Sequence, residues 1–86
     1  MAAYQISISK PAQKQLDKLQ DSTADRIIDA IYDLADEPRP SGCKKLKGRE
    51  GYRIRVGDYR IIYEVFDHVL VIEVVSLGHR KDIYKS

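Results

Sequence analysis

The sequence predicts an α+β domain of order β-α-α-β-β-β, with an antiparallel helix hairpin packed on one face of a small, mainly antiparallel sheet. Three observations predict it. Apolar residues recur at helical spacing between Ala12 and Ala35, the period changes to two from Tyr52 onward, and the alternating runs that follow are divided by two-residue turn signals. At 86 residues there is room for a single core, so residues 1–86 are read as one domain.

Gln5 to Ser9 alternates polar and apolar, which places Ile6 and Ile8 on one face of a first strand. Ser9 is a candidate N-cap, and Pro11 suits a first helical turn, where its missing N–H leaves nothing unsatisfied. Ala12, Leu16 and Leu19 carry this helix to about Gln20. Ser22 with Asp25 three residues on has the form of a capping box and predicts the start of a second helix. Its apolar stripe is Ala24, Ile27, Ile28, Ile31, Leu34 and Ala35, with Asp25, Asp29, Asp33 and Asp36 near the opposite side. So short a link between the helices predicts a hairpin. Pro38 and Pro40 end the second helix, and Arg39 to Gly51 reads as a basic connection.

Tyr52 to Val56 then puts Tyr52, Ile54 and Val56 on one face of a strand and both Arg53 and Arg55 on the other. Gly57-Asp58, glycine first, suits a type II′ hairpin into Tyr59 to Phe66. Asp67-His68 turns the chain into Val69 to Leu77, apolar on both faces as a strand inside a sheet would be. Two helices can cover only one face. The other, carrying Arg53, Arg55 and Arg60, is left for a ligand.

Composition limits what that ligand is. The chain is 43% hydrophobic and 33% charged, an ordinary globular balance. Cys43 is the only cysteine, which rules out an internal disulfide or a cysteine-rich zinc site and suits a reducing compartment. The start of the chain lacks the pattern of a secretion signal, and no run approaches the roughly 20 apolar residues that span a bilayer, so a cytoplasmic protein is expected. Net charge is +2, yet residues 1–43 carry −2 and residues 44–86 carry +4. Lys44, Lys45, Lys47, Arg49, Arg53, Arg55 and Arg60 crowd a short stretch against Glu50 and Asp58 alone, which predicts a polyanionic partner.

Arginine presents a planar fork of donors to phosphate oxygens and stays charged at any working pH, so several on one surface point to a phosphate backbone. Gly78, read as a turn, delivers His79, Arg80, Lys81 and Tyr84 to the sheet's edge. His79 titrates near neutrality when unperturbed, Arg80 could steady a leaving oxygen, and Tyr84 offers a ring and a hydroxyl. No His, Cys, Asp and Glu set has metal-ligand spacing, and there is no glycine-rich phosphate loop or nucleophile elbow. Neither metal nor cofactor is expected.

The run Gly51-Tyr52-Arg53-Ile54-Arg55-Val56-Gly57-Asp58-Tyr59-Arg60-Ile61-Ile62-Tyr63, followed by Gly78-His79-Arg80-Lys81-Asp82-Ile83-Tyr84, resembles the RelE branch of the RelE/ParE toxin superfamily. The likeness extends to the N-terminal strand, the helix pair and the basic Lys44-Lys45-Leu46-Lys47-Gly48 segment. It implies the toxin of a type II toxin–antitoxin pair, an endoribonuclease that enters the ribosomal A site and cuts messenger RNA through attack by the RNA's own 2′-hydroxyl. By the same resemblance, Arg53, Arg55, Arg60, Arg80 and Tyr84 fall on active-site positions. Lys44, Lys45, Lys47, Arg49 and Lys81 become candidates for binding messenger or 16S ribosomal RNA. A RelB-like antitoxin that wraps the toxin in a hetero-oligomer is implied as partner.

One departure bears on the chemistry. Arg53 and Arg55 stand where well-known members carry lysines, and a guanidinium cannot serve as a base. Arg53 is therefore assigned to charge stabilisation. Tyr84 is the candidate for orienting or deprotonating the 2′-hydroxyl, with His79 as its rival. A ParE-like inhibitor of DNA gyrase that leaves RNA uncut is the competing reading. A plain RNA-binding module would need aromatic rings on the open face, whereas Tyr52, Tyr59 and Tyr63 are expected on the core side.

Overall fold

The computed structural model describes residues 3–48 and 50–79. In chain order the elements are β1 (Gln5–Ile8), α1 (Lys10–Asp17), α2 (Asp21–Asp33), β2 (Lys44–Lys45), β3 (Tyr52–Val56), β4 (Tyr59–Phe66) and β5 (Val71–His79). They form one five-stranded mixed sheet ordered β1-β5-β4-β3-β2, in which β1 runs parallel to β5 and every other pair is antiparallel. Both helices pack on the sheet, α1 over β5 and α2 over β3.

The apolar spacing decides which face they cover. Ala12 and Leu16 of α1, Ile27 and Ile31 of α2 and the following Leu34 are buried against Ile54, Ile61, Tyr63, Ile72, Val74 and Leu77 of the strands. The register places these strand residues side by side on one face: Ile54 pairs with Ile61, Ile61 with Leu77, and Tyr63 with Val74. Each fully enclosed aliphatic side chain contributes about 1.5–3 kcal/mol. Tyr63, wholly buried, brings a hydroxyl into this core and satisfies it by donating to the Pro38 carbonyl at 2.7 Å. Burial holds its phenol well above the ordinary tyrosine range.

Ser9 caps α1 as the sequence predicts. Its hydroxyl oxygen accepts from the Ala12 N–H at 3.3 Å and donates to the Val75 carbonyl at 2.7 Å, tying the helix start to β5. The helix is shorter than expected, ending at Asp17, after which Lys18 and Leu19 donate to Gln15 and Leu16 in a tighter last turn. The second helix starts at Asp21 rather than behind Ser22. Gln20 occupies the N-cap without a side-chain bond and Asp21 supplies the first-turn acid, so the Ser22–Asp25 capping box does not form.

Three further differences lie in the C-terminal half. The basic connection contains a short edge strand, β2, where Lys44 pairs with Arg53 and Lys45 with Tyr52. The Gly57-Asp58 hairpin forms with glycine at φ +59, but the next turn is longer: Val69 and Leu70 remain in it, Leu70 at φ +55, and β5 begins at Val71. As a result β5 runs on through Gly78 and His79, which pair with Arg60 and Tyr59. Gly78 is a strand residue, not the expected turn.

Candidate nucleic-acid interface

Alternation along β3 and β4 settles where the cations stand. With Ile54 and Ile61 turned to the helices, Arg53, Arg55 and Arg60 take the uncovered face. Arg55 is the direct cross-strand partner of Arg60, and Lys44 of β2 is the partner of Arg53. These four residues, with Gly42 and Ile54, line a cavity of about 180 Å³. Gly42 was not singled out from the sequence, although Ser41-Gly42 is a turn signal; its φ of +92 needs a glycine.

Arg60 lies deepest, only 7% exposed, whereas Lys44 and Arg55 reach into solvent and Arg53 is half-buried. The Nε of Arg55 donates to the Gly57 carbonyl at 3.4 Å, which leans this side chain toward the hairpin. Like charges directly across a strand pair repel. The acids of this face, Glu64 and Glu73, are each other's cross-strand partners, four residues beyond Arg60 on β4 and five short of Gly78 on β5. Charge on the uncovered surface is thus divided along its length, with the cations gathered at the hairpin end. An anion with several oxygens, such as a phosphodiester, complements that end.

His79 does not join them. It alternates onto the helix-covered face, its ring edge-on to Tyr59 with centroids 5.6 Å apart, and it shares a cavity of about 360 Å³ with Thr23, Arg26, Gly57 and Asp58. Lys45 points to the same side at the sheet edge, through its pairing with Tyr52, and Lys47 is exposed in the following turn. Arg49, Arg80, Lys81 and Tyr84 lie outside the described residues. Tyr52 stacks on Tyr63 at 5.9 Å between centroids, and Tyr59 is half-buried beside His79, so these three tyrosines face the core as expected.

At the opposite end of the sheet a second polar group closes the structure. Arg39 donates to Asp67 at 2.8 Å and to the Tyr52 hydroxyl at 3.0 Å, and the Tyr4 hydroxyl donates to Asp67 at 2.6 Å. The Arg39 guanidinium and the Tyr4 hydroxyl hold the Asp67 carboxyl below its usual range, and Asp67 raises Tyr4 in turn. This cluster joins the chain start, the α2–β2 connection and the β4–β5 turn. It is a clasp, separate from the cationic cavity. Among the described residues no group of three or more His, Cys, Asp or Glu side chains could hold a metal, and no helix is long and apolar enough to cross a membrane.

Comparison with known proteins agrees with this architecture. Residues 6–84 match the family described as the ParE toxin of the type II toxin–antitoxin system parDE. The mRNA interferase toxin RelE of Escherichia coli K12 is 28% identical over 82 residues, spanning 92% of this chain and 85% of that protein. Among the solved structures that share the fold are two toxin–antitoxin complexes. One is the archaeal RelE–RelB complex from Pyrococcus horikoshii, with a TM-score of 0.82 and 33% identity over 91% of this chain and 96% of that one. The other is the intact E. coli RelBE toxin–antitoxin complex, with a TM-score of 0.79 and 28% identity over 90% and 96%. Two helices on one face of a β1-β5-β4-β3-β2 sheet are therefore the frame of a type II toxin, and this chain belongs to the RelE/ParE toxin superfamily.

Proposed function

We propose that this toxin is an endoribonuclease that cuts messenger RNA in the ribosomal A site and is restrained by a RelB-like antitoxin. The observation that carries the reading is the cavity that Lys44, Arg53, Arg55 and Arg60 line, with all four on the helix-free face. The similarity to an mRNA interferase supports the reaction, and the two toxin–antitoxin complexes support the partner.

In this reading an RNA strand lies across the hairpin end of the sheet. The 2′-hydroxyl attacks the neighbouring phosphorus as it gives up its proton, and the bond to the 5′ oxygen breaks. A 2′,3′-cyclic phosphate is left on one side and a 5′-hydroxyl on the other, the departing oxygen taking up a proton. Arg60 and Arg80 grip the phosphate, while Arg53 and Arg55 add positive potential to the charge that develops there; removing one such preorganised donor costs about 10²–10³ in rate. None of the guanidiniums can accept the proton. Tyr84 takes that role in our reading, favoured over His79 because His79 sits on the far side of the sheet from Arg55 and Arg60. So sparse an acid–base set explains dependence on the ribosome, which would position the reacting hydroxyl.

The family description gives weight to a second reading, inhibition of DNA gyrase. Mapping RNA 5′ ends after induction of the toxin separates the two. New ends inside coding sequence are expected. Intact messages with loss of plasmid supercoiling would replace the nuclease with the gyrase inhibitor.

A further inference from the structure

Glycine in the interior of a strand needs a reason, since it weakens the strand and contributes nothing to packing. Gly42, Gly48, Gly51 and Gly57 have evident ones, each standing at a positive φ. Gly51 adopts φ +130, and a Cβ there would lie 3.2 Å from the Tyr63 carbonyl oxygen; Gly57 adopts φ +59 in its hairpin. Gly78 has neither. Its φ lies outside the left-handed region, and among the described residues no atom comes within 4 Å of where a Cβ would stand.

Its position supplies the missing reason. Gly78 is the cross-strand partner of Arg60, which is in turn the partner of Arg55, so the three form one row across the helix-free face. A side chain at residue 78 would rise about 5 Å from that of Arg60. It would fill the ground beside the most deeply set guanidinium of the cavity. We infer that Gly78 is a positioning residue: its missing side chain is the bed on which the substrate's sugar–phosphate backbone lies, allowing the scissile phosphate down to Arg60. The inference rests on the nuclease reading and adds to it where the strand runs.

The test uses the full chain carrying Gly78→Ala or Gly78→Val, with ribosomes holding a defined message in the A site. Cleavage is measured as kcat and KM, and each protein is melted. Alanine should lower kcat by roughly 10²-fold, the cost of displacing a reacting group by about an ångström, and valine should lower it further. KM for the programmed ribosome should stay within about twofold of the parent, because the cations outside the bed are untouched. Melting temperature should equal or exceed that of the parent. Parent-like kcat in both variants would overturn the inference and leave the nuclease reading standing, as would a raised KM at constant kcat. A lowered melting temperature in both would overturn it by showing that the chain's own atoms fill the space. A parent protein that leaves message uncut would remove the nuclease reading and this inference together.

Discussion

Arg55 faces Arg60 directly across the β3–β4 ladder, an arrangement that repulsion opposes and that stability does not require. Arg55 is exposed and donates to the nearby Gly57 carbonyl. Arg55→Ala is therefore expected to melt at or slightly above the parent temperature while losing about 10²–10³ in cleavage rate on programmed ribosomes. Unchanged cleavage would detach this arginine from the site. Tyr63 sets the opposite case, a side chain that matters to the fold alone. Its folded pKa is raised by burial, so its contribution is intact below the unfolded value of about 10 and is lost as pH rises beyond it. Urea midpoints of the parent should fall between pH 9 and 11, and more steeply than those of Tyr63→Phe. At pH 7 the same variant should be about 1 kcal/mol less stable for want of the bond to Pro38. Parallel pH profiles would show that the Tyr63 proton is not coupled to folding.

Helices and strands were legible in the sequence wherever burial imposes a period. The stripe Ile27, Ile31 and Leu34 and the alternation Tyr52, Ile54, Val56 were both readable because each has to meet the same core. Ends were less legible. Nothing apolar marks β2, whose two lysines become a strand only because Arg53 and Tyr52 offer an open ladder edge, and β5 slid two residues because Leu70 takes up a left-handed turn that its type does not advertise. That slide decided the reading of the site: it left Gly78 beside Arg60 and turned His79 toward the helices, which spacing from an assumed turn could not reveal. At the same scale, Ser9 joins α1 to β5, and Ser9→Ala should cost about 1 kcal/mol in chemical denaturation without altering cleavage. The clasp is expected to respond to acid. Asp67 has a depressed pKa, so its support is complete above the unfolded value of about 3.9 and disappears as pH falls through the folded one. The melting temperature of Asp67→Asn should therefore lie below the parent's at pH 7, and the gap should narrow as pH falls below about 3.9; a gap that does not change with pH would mean the asparagine disturbs the turn itself.

For the molecule as a whole, the division of labour between the two sheet faces makes a claim that a cell can test. One face is spent on the helices and the core, and the cations of the other are gathered at the end where β3 turns into β4. Positive charge gathered in this way raises the rate of encounter with polyanions but carries no choice between RNA and DNA, so charge alone permits both the nuclease and the gyrase readings. What separates them is chemistry at the phosphate. A nuclease needs a donor set held rigidly beside the reacting atoms, and its loss should abolish the effect with binding largely preserved; an inhibitor that acts by occupancy should fail only when binding fails. Expression of the parent chain is expected to arrest translation, and Arg80→Ala or Tyr84→Phe to relieve it while the variant still sediments with ribosomes. Tyr84→Ala should keep the parent's circular dichroism spectrum, which separates lost chemistry from lost fold. If the arrest persists in Tyr84→Phe and Arg80→Ala, or if its relief always tracks loss of ribosome binding, catalysis at this face is the wrong account and the cationic end acts by adhesion.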